Sequence, residues 1–238
     1  MIPRLVLLLS VCFAIGGLGV WKVSLRQAPY AARESWKKYL SYIVIVGMVV
    51  ALLIYQAHYY FFVALAIATG GGIEILRGVK GDNHRWPVFV LYLPIAALFL
   101  QFGRGEHTRD EVLLLYTPIV LYDGFSQLCG QLIKGPRLAR KISPEKRISG
   151  VIGGIILTTM ACAFAYPVAK LYFIPMICAF AVTGDLLASY LKRRWGIKDY
   201  GKLIPGHGGI LDRFDSFMFT AAMATIINHT VNLYNNGR

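Results

Sequence analysis

The chain reads as an all-α membrane protein of about eight transmembrane helices, a single integral-membrane domain over 1–238. Three observations lead there. Hydrophobic residues make up 56% of the 238 and charged ones only 16%, a balance that soluble globular domains do not show. The apolar residues run in blocks long enough to cross a hydrocarbon core of roughly 30 Å, which takes about 20 helical residues. Cations gather between alternate blocks. Backbone amides in lipid must be satisfied inside their own segment, so each block is expected to be a helix.

The blocks cover about 5–21, 39–56, 59–76, 87–103, 110–128, 148–166, 168–191 and 214–233. The first, after Met1 to Arg4, could pass for a signal peptide. Its long apolar run and the lack of a small-residue cleavage site favour a retained helix. Residues 1–110 form the N-terminal helices, and 111–238 hold the residues suited to chemistry. No internal repeat or low-complexity linker is visible. Cys12, Cys129, Cys162 and Cys178 lie in or beside apolar segments without CxxC spacing, as buried small hydrophobes do. Trp36, Tyr59, Tyr60 and Trp86 sit at block ends, where aromatic side chains anchor to the interface. His58, His107 and His229 fall near the opposite face from the main cationic loops.

The net charge is +13. A nucleic-acid-binding domain would carry such charge on a soluble fold; here it lies in short loops, which suits anionic headgroups and membrane orientation. Arg26, Lys80, Lys134 and Lys202 belong to the loops after the first, third, fifth and seventh blocks. Those four loops together hold 20 of the 25 Lys and Arg residues. The positive-inside rule makes them cytosolic and puts both termini outside.

Ser189 to Asp215, SYLKRRWGIKDYGKLIPGHGGILDRFD, concentrates six Lys or Arg, three Asp, a His and several Gly between two apolar blocks. Cations, carboxylates and flexible backbone at a membrane surface suit a polyphosphate with bound metal. Asp185, Ser189 and Lys192 fall at i, i+4 and i+7, on one helical face. A carboxylate inside a span is costly unless paired or metal-bound; the plain alternative is an ion pair of Asp185 with Lys192 or a loop arginine. Asp212 and Asp215 open the last helix, where the macrodipole also favours acids. Asp185 and Asp212, on adjacent helices, are expected to converge on a divalent cation. Oxygen ligands with incomplete protein coordination suit Mg²⁺. Gly206, Gly208 and Gly209 let backbone amides approach phosphate oxygens, although a simple turn would also use glycine. His207 between them suits phosphate contact or proton transfer. Glu74, in GGGIEILR, is expected to pair with Arg77 one turn on, the alternative being a contribution to the polar cavity.

The spacing Ser-x-Leu-Lys-Arg, Lys-Asp, Pro-Gly-His-Gly-Gly-x-x-Asp-Arg-x-Asp resembles the signature of the phosphatidate cytidylyltransferases, or CDP-diacylglycerol synthases. A second stretch, YDGFSQLCGQLIKGPRLARKISPEKRISGVIGG, resembles that family's upstream region at Asp123, Ser143, Pro144, Lys146, Gly150, Gly153 and Gly154. Arg147 stands where Thr is usual and Ser149 where Glu is common. The resemblance implies transfer of a cytidylyl group from CTP to phosphatidate, giving CDP-diacylglycerol and diphosphate. It also implies Asp185 and Asp212 as ligands of Mg²⁺, with a second cation as an option. Asp185, Asp212, Lys192 and His207 are then the catalytic candidates. Asp123, Ser143, Lys146, Ser189, Arg193, Lys198, Asp199, Gly208, Gly209, Arg213 and Asp215 are the candidates for holding substrate. Such a site needs alignment and charge cancellation rather than a strong base, because the lipid phosphate is already an anion. The expected partners are CTP, phosphatidate and membrane lipids, not nucleic acid, and a homodimer is left open. The expected setting is a bacterial plasma membrane with the site on the cytosolic side. Rival readings are a CTP-dependent enzyme on another lipid (a polyprenol kinase or an archaeal ether-lipid synthase) and a lipid-binding membrane protein without chemistry.

Overall fold

The computed structural model describes residues 1–25, 28–55, 59–78, 82–105, 107–133, 135–201, 203 and 208–236. Among the described residues eight helices follow one another: α1 (Ile2–Ser24), α2 (Pro29–Tyr55), α3 (Tyr59–Gly78), α4 (Asp82–Arg104), α5 (Arg109–Ile133), α6 (Ile148–Ala165), α7 (Phe173–Arg194) and α8 (Leu211–Asn236). A short 3₁₀ turn, Val168–Lys170, precedes α7. Among the described residues, seven helices are long and apolar enough to cross a membrane. The remaining one, α8, has 26 residues, with Asp212, Arg213 and Asp215 in its first turns and Asn228, His229 and Asn232 towards its end.

Helix boundaries follow local chemistry. α2 begins at Pro29, ten residues before the apolar block, so Arg33, Lys37 and Lys38 belong to its first turns rather than to a loop. Proline is well tolerated where a helix starts, since its missing N–H has no partner there anyway. α5 opens on a reciprocal cap: the Thr108 N–H donates to Glu111 at 2.9 Å, and the Glu111 N–H to the Thr108 hydroxyl at 3.3 Å. α7 stops at Gly196, where φ is +66°. The Ile197 N–H returns to the Lys192 carbonyl and the Gly196 N–H to that of Arg193, a Schellman ending that glycine permits.

α5 is the centre of the bundle. Every residue from Val112 to Tyr122 is buried, as expected for a helix with neighbours on all sides. α1 instead exposes Val6, Leu7, Val11, Ile15 and Leu18 to the surroundings and meets α2 where the Tyr39 hydroxyl donates to the Phe13 carbonyl. Tyr60 is no interface anchor: it is buried, and its hydroxyl donates to the Leu53 carbonyl at 2.9 Å. The cysteines are free thiols, three of them buried. His58 and the side chain of Trp86 lie outside the described residues.

α6 packs against α5 through small residues. A Cβ at Gly150 would stand 2.6 Å from the Ser126 carbonyl oxygen, and one at Gly154 2.9 Å from the Ser126 Cβ. This small-xxx-small stripe lets the two backbones approach closely. Gly150, Gly153 and Gly154 therefore act in helix packing. The cationic loop between α5 and α6 contains a hairpin: β1 (Arg137–Ala139) pairs antiparallel with β2 (Ser143–Arg147), Arg137 opposite Arg147 and Ala139 opposite Ser143.

Candidate active site

The polar residues collect at the end of the bundle where α3, α5 and α7 finish and α6 and α8 begin. Arg193 closes that end, its Nε donating to the Ile142 carbonyl at 3.4 Å and so tying α7 to the hairpin.

Two lysine–aspartate pairs form the centre. Lys192 meets Asp212 at 2.8 Å, with side-chain exposures of 11% and 3%. Lys146 meets Asp185 across a second ion pair, with exposures of 26% and 30%. In place of the plain alternative, a pair of Asp185 with Lys192 on one helix, stand two pairings between elements. Ser189 stays on the predicted face, its hydroxyl 3.5 Å from Asp185. Burial pushes the Lys146 ammonium below the ordinary lysine value, against the pull of Asp123 and Asp215, while Lys192 nearby adds to the lowering.

Asp212 sits in a cage of backbone. Its Oδ2 accepts from the N–H groups of Tyr200 at 2.9 Å, Gly209 at 2.9 Å and Gly201 at 3.4 Å. Gly209 lies just outside α8, so this bond ties the approaching backbone to the first turn of the helix. Gly208 has φ +84°, and a Cβ there would fall 2.8 Å from Asp212 Oδ2; both conditions demand glycine. The expected phosphate-directed amide of Gly209 is thus aimed at Asp212. Tyr200, which belongs to none of the motifs above, is buried with its ring beneath the Lys192 ammonium, 5.5 Å from ring centroid to Nζ. Its aromatic character in a polar loop is the one sequence signal that hints at this.

Glu74 corrects another expectation. Instead of Arg77 it reaches α8: it is buried and accepts from the N–H groups of Ile210 at 2.7 Å and Leu211 at 2.9 Å. The first N–H groups of a helix have no partner of their own, and α3 supplies the acceptor.

Asp123 and Arg213 line one cavity between α2, α5 and α8, beside Tyr42 and Tyr116. Asp215 holds the Ser216 N–H at 2.6 Å and borders a second, apolar cavity with Val88, Leu91, Ile95, Leu187 and Leu191. Ser143 is half-buried in β2, whereas Lys198 and Asp199 are exposed beyond α7. Arg147 donates to the Gly135 carbonyl at 2.9 Å, and the Ser149 hydroxyl accepts from the Gly135 N–H at 3.2 Å. The two positions that depart from the signature thus clamp Gly135 from both sides. His207, Gly206 and Lys202 lie outside the described residues.

The donor set suits a hard cation. Among the described residues no three His, Cys, Asp or Glu side chains gather as a closed metal site. Asp185 and Asp212 each already hold one positive group, an ammonium. A carboxylate has about four lone-pair directions, so Oδ1 of Asp212 keeps room beside Lys192. Mg²⁺ commonly takes one or two carboxylates and completes its shell with water and phosphate oxygens.

Comparison with known proteins gives the family. The cytidylyltransferase family profile matches residues 10–231. The chain belongs to the cytidylyltransferase family. It is 31% identical to the phosphatidate cytidylyltransferase of Rickettsia felis, over 79% of this chain and 90% of that one. The Rickettsia typhi protein of the same name is 30% identical, over 87% and 98%. That of Staphylococcus aureus is 36% identical over 58% of this chain and 56% of its own length. As a member of the cytidylyltransferase family, the chain is a nucleotidyltransferase built into a membrane.

Proposed function

We propose that this chain transfers the cytidylyl group of CTP to phosphatidate, giving CDP-diacylglycerol and diphosphate, at the cytosolic face of a bacterial plasma membrane. The observation that carries the reading is the meeting of Lys146–Asp185 and Lys192–Asp212 at one end of an apolar bundle. In the reaction a phosphate oxygen of the lipid attacks the α-phosphorus of CTP. The bond from that phosphorus to the α,β-bridging oxygen breaks, and diphosphate leaves with the electron pair. No proton need move, so the protein's task is alignment and cancellation of charge.

Asp185 and Asp212 would hold Mg²⁺, which would supply Lewis-acid stabilisation of the phosphate oxygens. Lys146, Lys192 and Arg213 offset the remaining phosphate charge, and Asp123 lies in reach of Lys146 and Arg213. The apolar cavity lined by Val88, Leu91, Ile95, Leu187 and Leu191 has Asp215 at its wall, and Leu91 is half exposed. It gives an acyl chain a lateral path from lipid to the charged cluster. The cation asymmetry of the loops supports a cytosolic site, where CTP arrives from water.

The test is purified protein in detergent with Mg²⁺, phosphatidate and CTP labelled at either the α- or the γ-phosphorus. Label from the α-position should appear in lipid that co-migrates with CDP-diacylglycerol. Lipid labelled from the γ-position would replace this reading with a kinase, and no lipid product would remove it.

A further inference from the structure

α3 meets Tyr200, Gly201 and the stretch 209–211 along one stripe of its surface. Gly71, Glu74 and Gly78 follow one helical face. A Cβ at Gly71 would stand 3.2 Å from Leu211 Cδ1, and one at Gly78 only 2.3 Å from the Tyr200 carbonyl oxygen. These glycines bring the loop backbone onto the helix, with the Glu74 carboxylate between them. Its two oxygens take the N–H groups of Ile210 and Leu211, at the helix end where a negative charge is favoured.

The same backbone carries the Asp212 contacts. Gly209 gives its N–H to Asp212 Oδ2 at 2.9 Å, while a Cβ on its other side would come 2.2 Å from Glu74 Oε2. Gly201 repeats the pattern, with its N–H toward Asp212 at 3.4 Å and a Cβ 2.6 Å from Glu74 Oε1. The loop is held between two carboxylates, one from α3 and one from α8.

We propose that Glu74 is a positioning residue of the site: by fixing the first turn of α8 and the glycines beside it, it sets the direction of the Asp212 carboxylate. The inference rests on Asp212 as a metal-holding group and extends that reading to a helix whose sequence carries no part of the signature. Glu74→Gln would turn an NH₂ toward backbone N–H groups or leave one of them unpaired, and would remove the charge at the α8 terminus. The damage should reach the metal through Asp212 rather than through any contact with substrate.

Mn²⁺ binding to the full chain in detergent, followed by the paramagnetic signal of the free ion without nucleotide, reads this directly. Glu74→Gln should raise the Mn²⁺ dissociation constant about 10- to 100-fold, the range for outer partners of a metal ligand, and Glu74→Asp should fall between it and wild type. Asp212→Asn is measured alongside. Wild-type affinity in Asp212→Asn, or no Mn²⁺ binding by the unaltered chain, would overturn the metal reading and this inference with it. Lost binding in Asp212→Asn together with wild-type affinity in Glu74→Gln would overturn the role of Glu74 alone. If Glu74→Gln does not give a monodisperse protein, Gly201→Ala presses on the same carboxylate from the loop side and is judged by the same outcomes.

Discussion

The two lysine–aspartate pairs use the same chemistry in different surroundings. Asp212 is almost fully buried and held by Lys192 and three backbone N–H groups. Asp185 is about a third exposed, with Lys146 from the hairpin and a long contact to Ser189. One carboxylate is built into the start of α8, whereas the other is part exposed and depends on a strand for its partner. Residues of equal chemical standing can thus differ in how far the fold relies on them.

The widest separation should come from Asp212→Asn and Asp185→Asn. Both should lower cytidylyl transfer on the order of 10³-fold or more, since uncompensated phosphate repulsion costs several kcal/mol. Only Asp212→Asn should also unfold more easily. Whichever way the new amide turns, its NH₂ faces either the Lys192 ammonium or backbone N–H groups. Activity assays with thermal melts in detergent check both halves, and activity of either variant within about tenfold of wild type would sink the shared role.

Lysine substitutions sharpen the same contrast at smaller amplitude. Lys192→Met strands a buried carboxylate, for which about 3 kcal/mol of lost stability is expected. Lys146→Met breaks a more solvated pair, and its stability should stay within ~1 kcal/mol. Its effect should appear instead in kcat/KM for CTP, lowered roughly 10- to 1000-fold as a charge-assisted phosphate contact is lost. Equal melting shifts in the two variants would erase the distinction between the pairs.

The smallest effect belongs to Arg147, which reaches Gly135. Arg147→Thr restores the residue common in the family and should leave kcat/KM for CTP within about threefold of wild type, as for a surface change costing ~0.5 kcal/mol. A large loss in steady-state kinetics would mean that the guanidinium leaves Gly135 to bind phosphate.

The features that the amino-acid sequence determines by itself are local or periodic. Spans follow from hydropathy because lipid forces each segment to satisfy its own backbone. The shared face of Asp185 and Ser189 follows from helical spacing, and the cluster from Ser189 to Asp215 stands out by composition. Tertiary structure alone decided which groups meet. Lys192 turned to Asp212 and Lys146 to Asp185 because the start of α8 and the hairpin approach α7 from directions that spacing along α7 does not encode. The hairpin at 137–147 is too short to stand out from a polar loop. Glu74 found its partner 136 residues away at Ile210 rather than at Arg77, since a buried carboxylate needs hydrogen-bond donors and the first turn of α8 offers unpaired N–H groups.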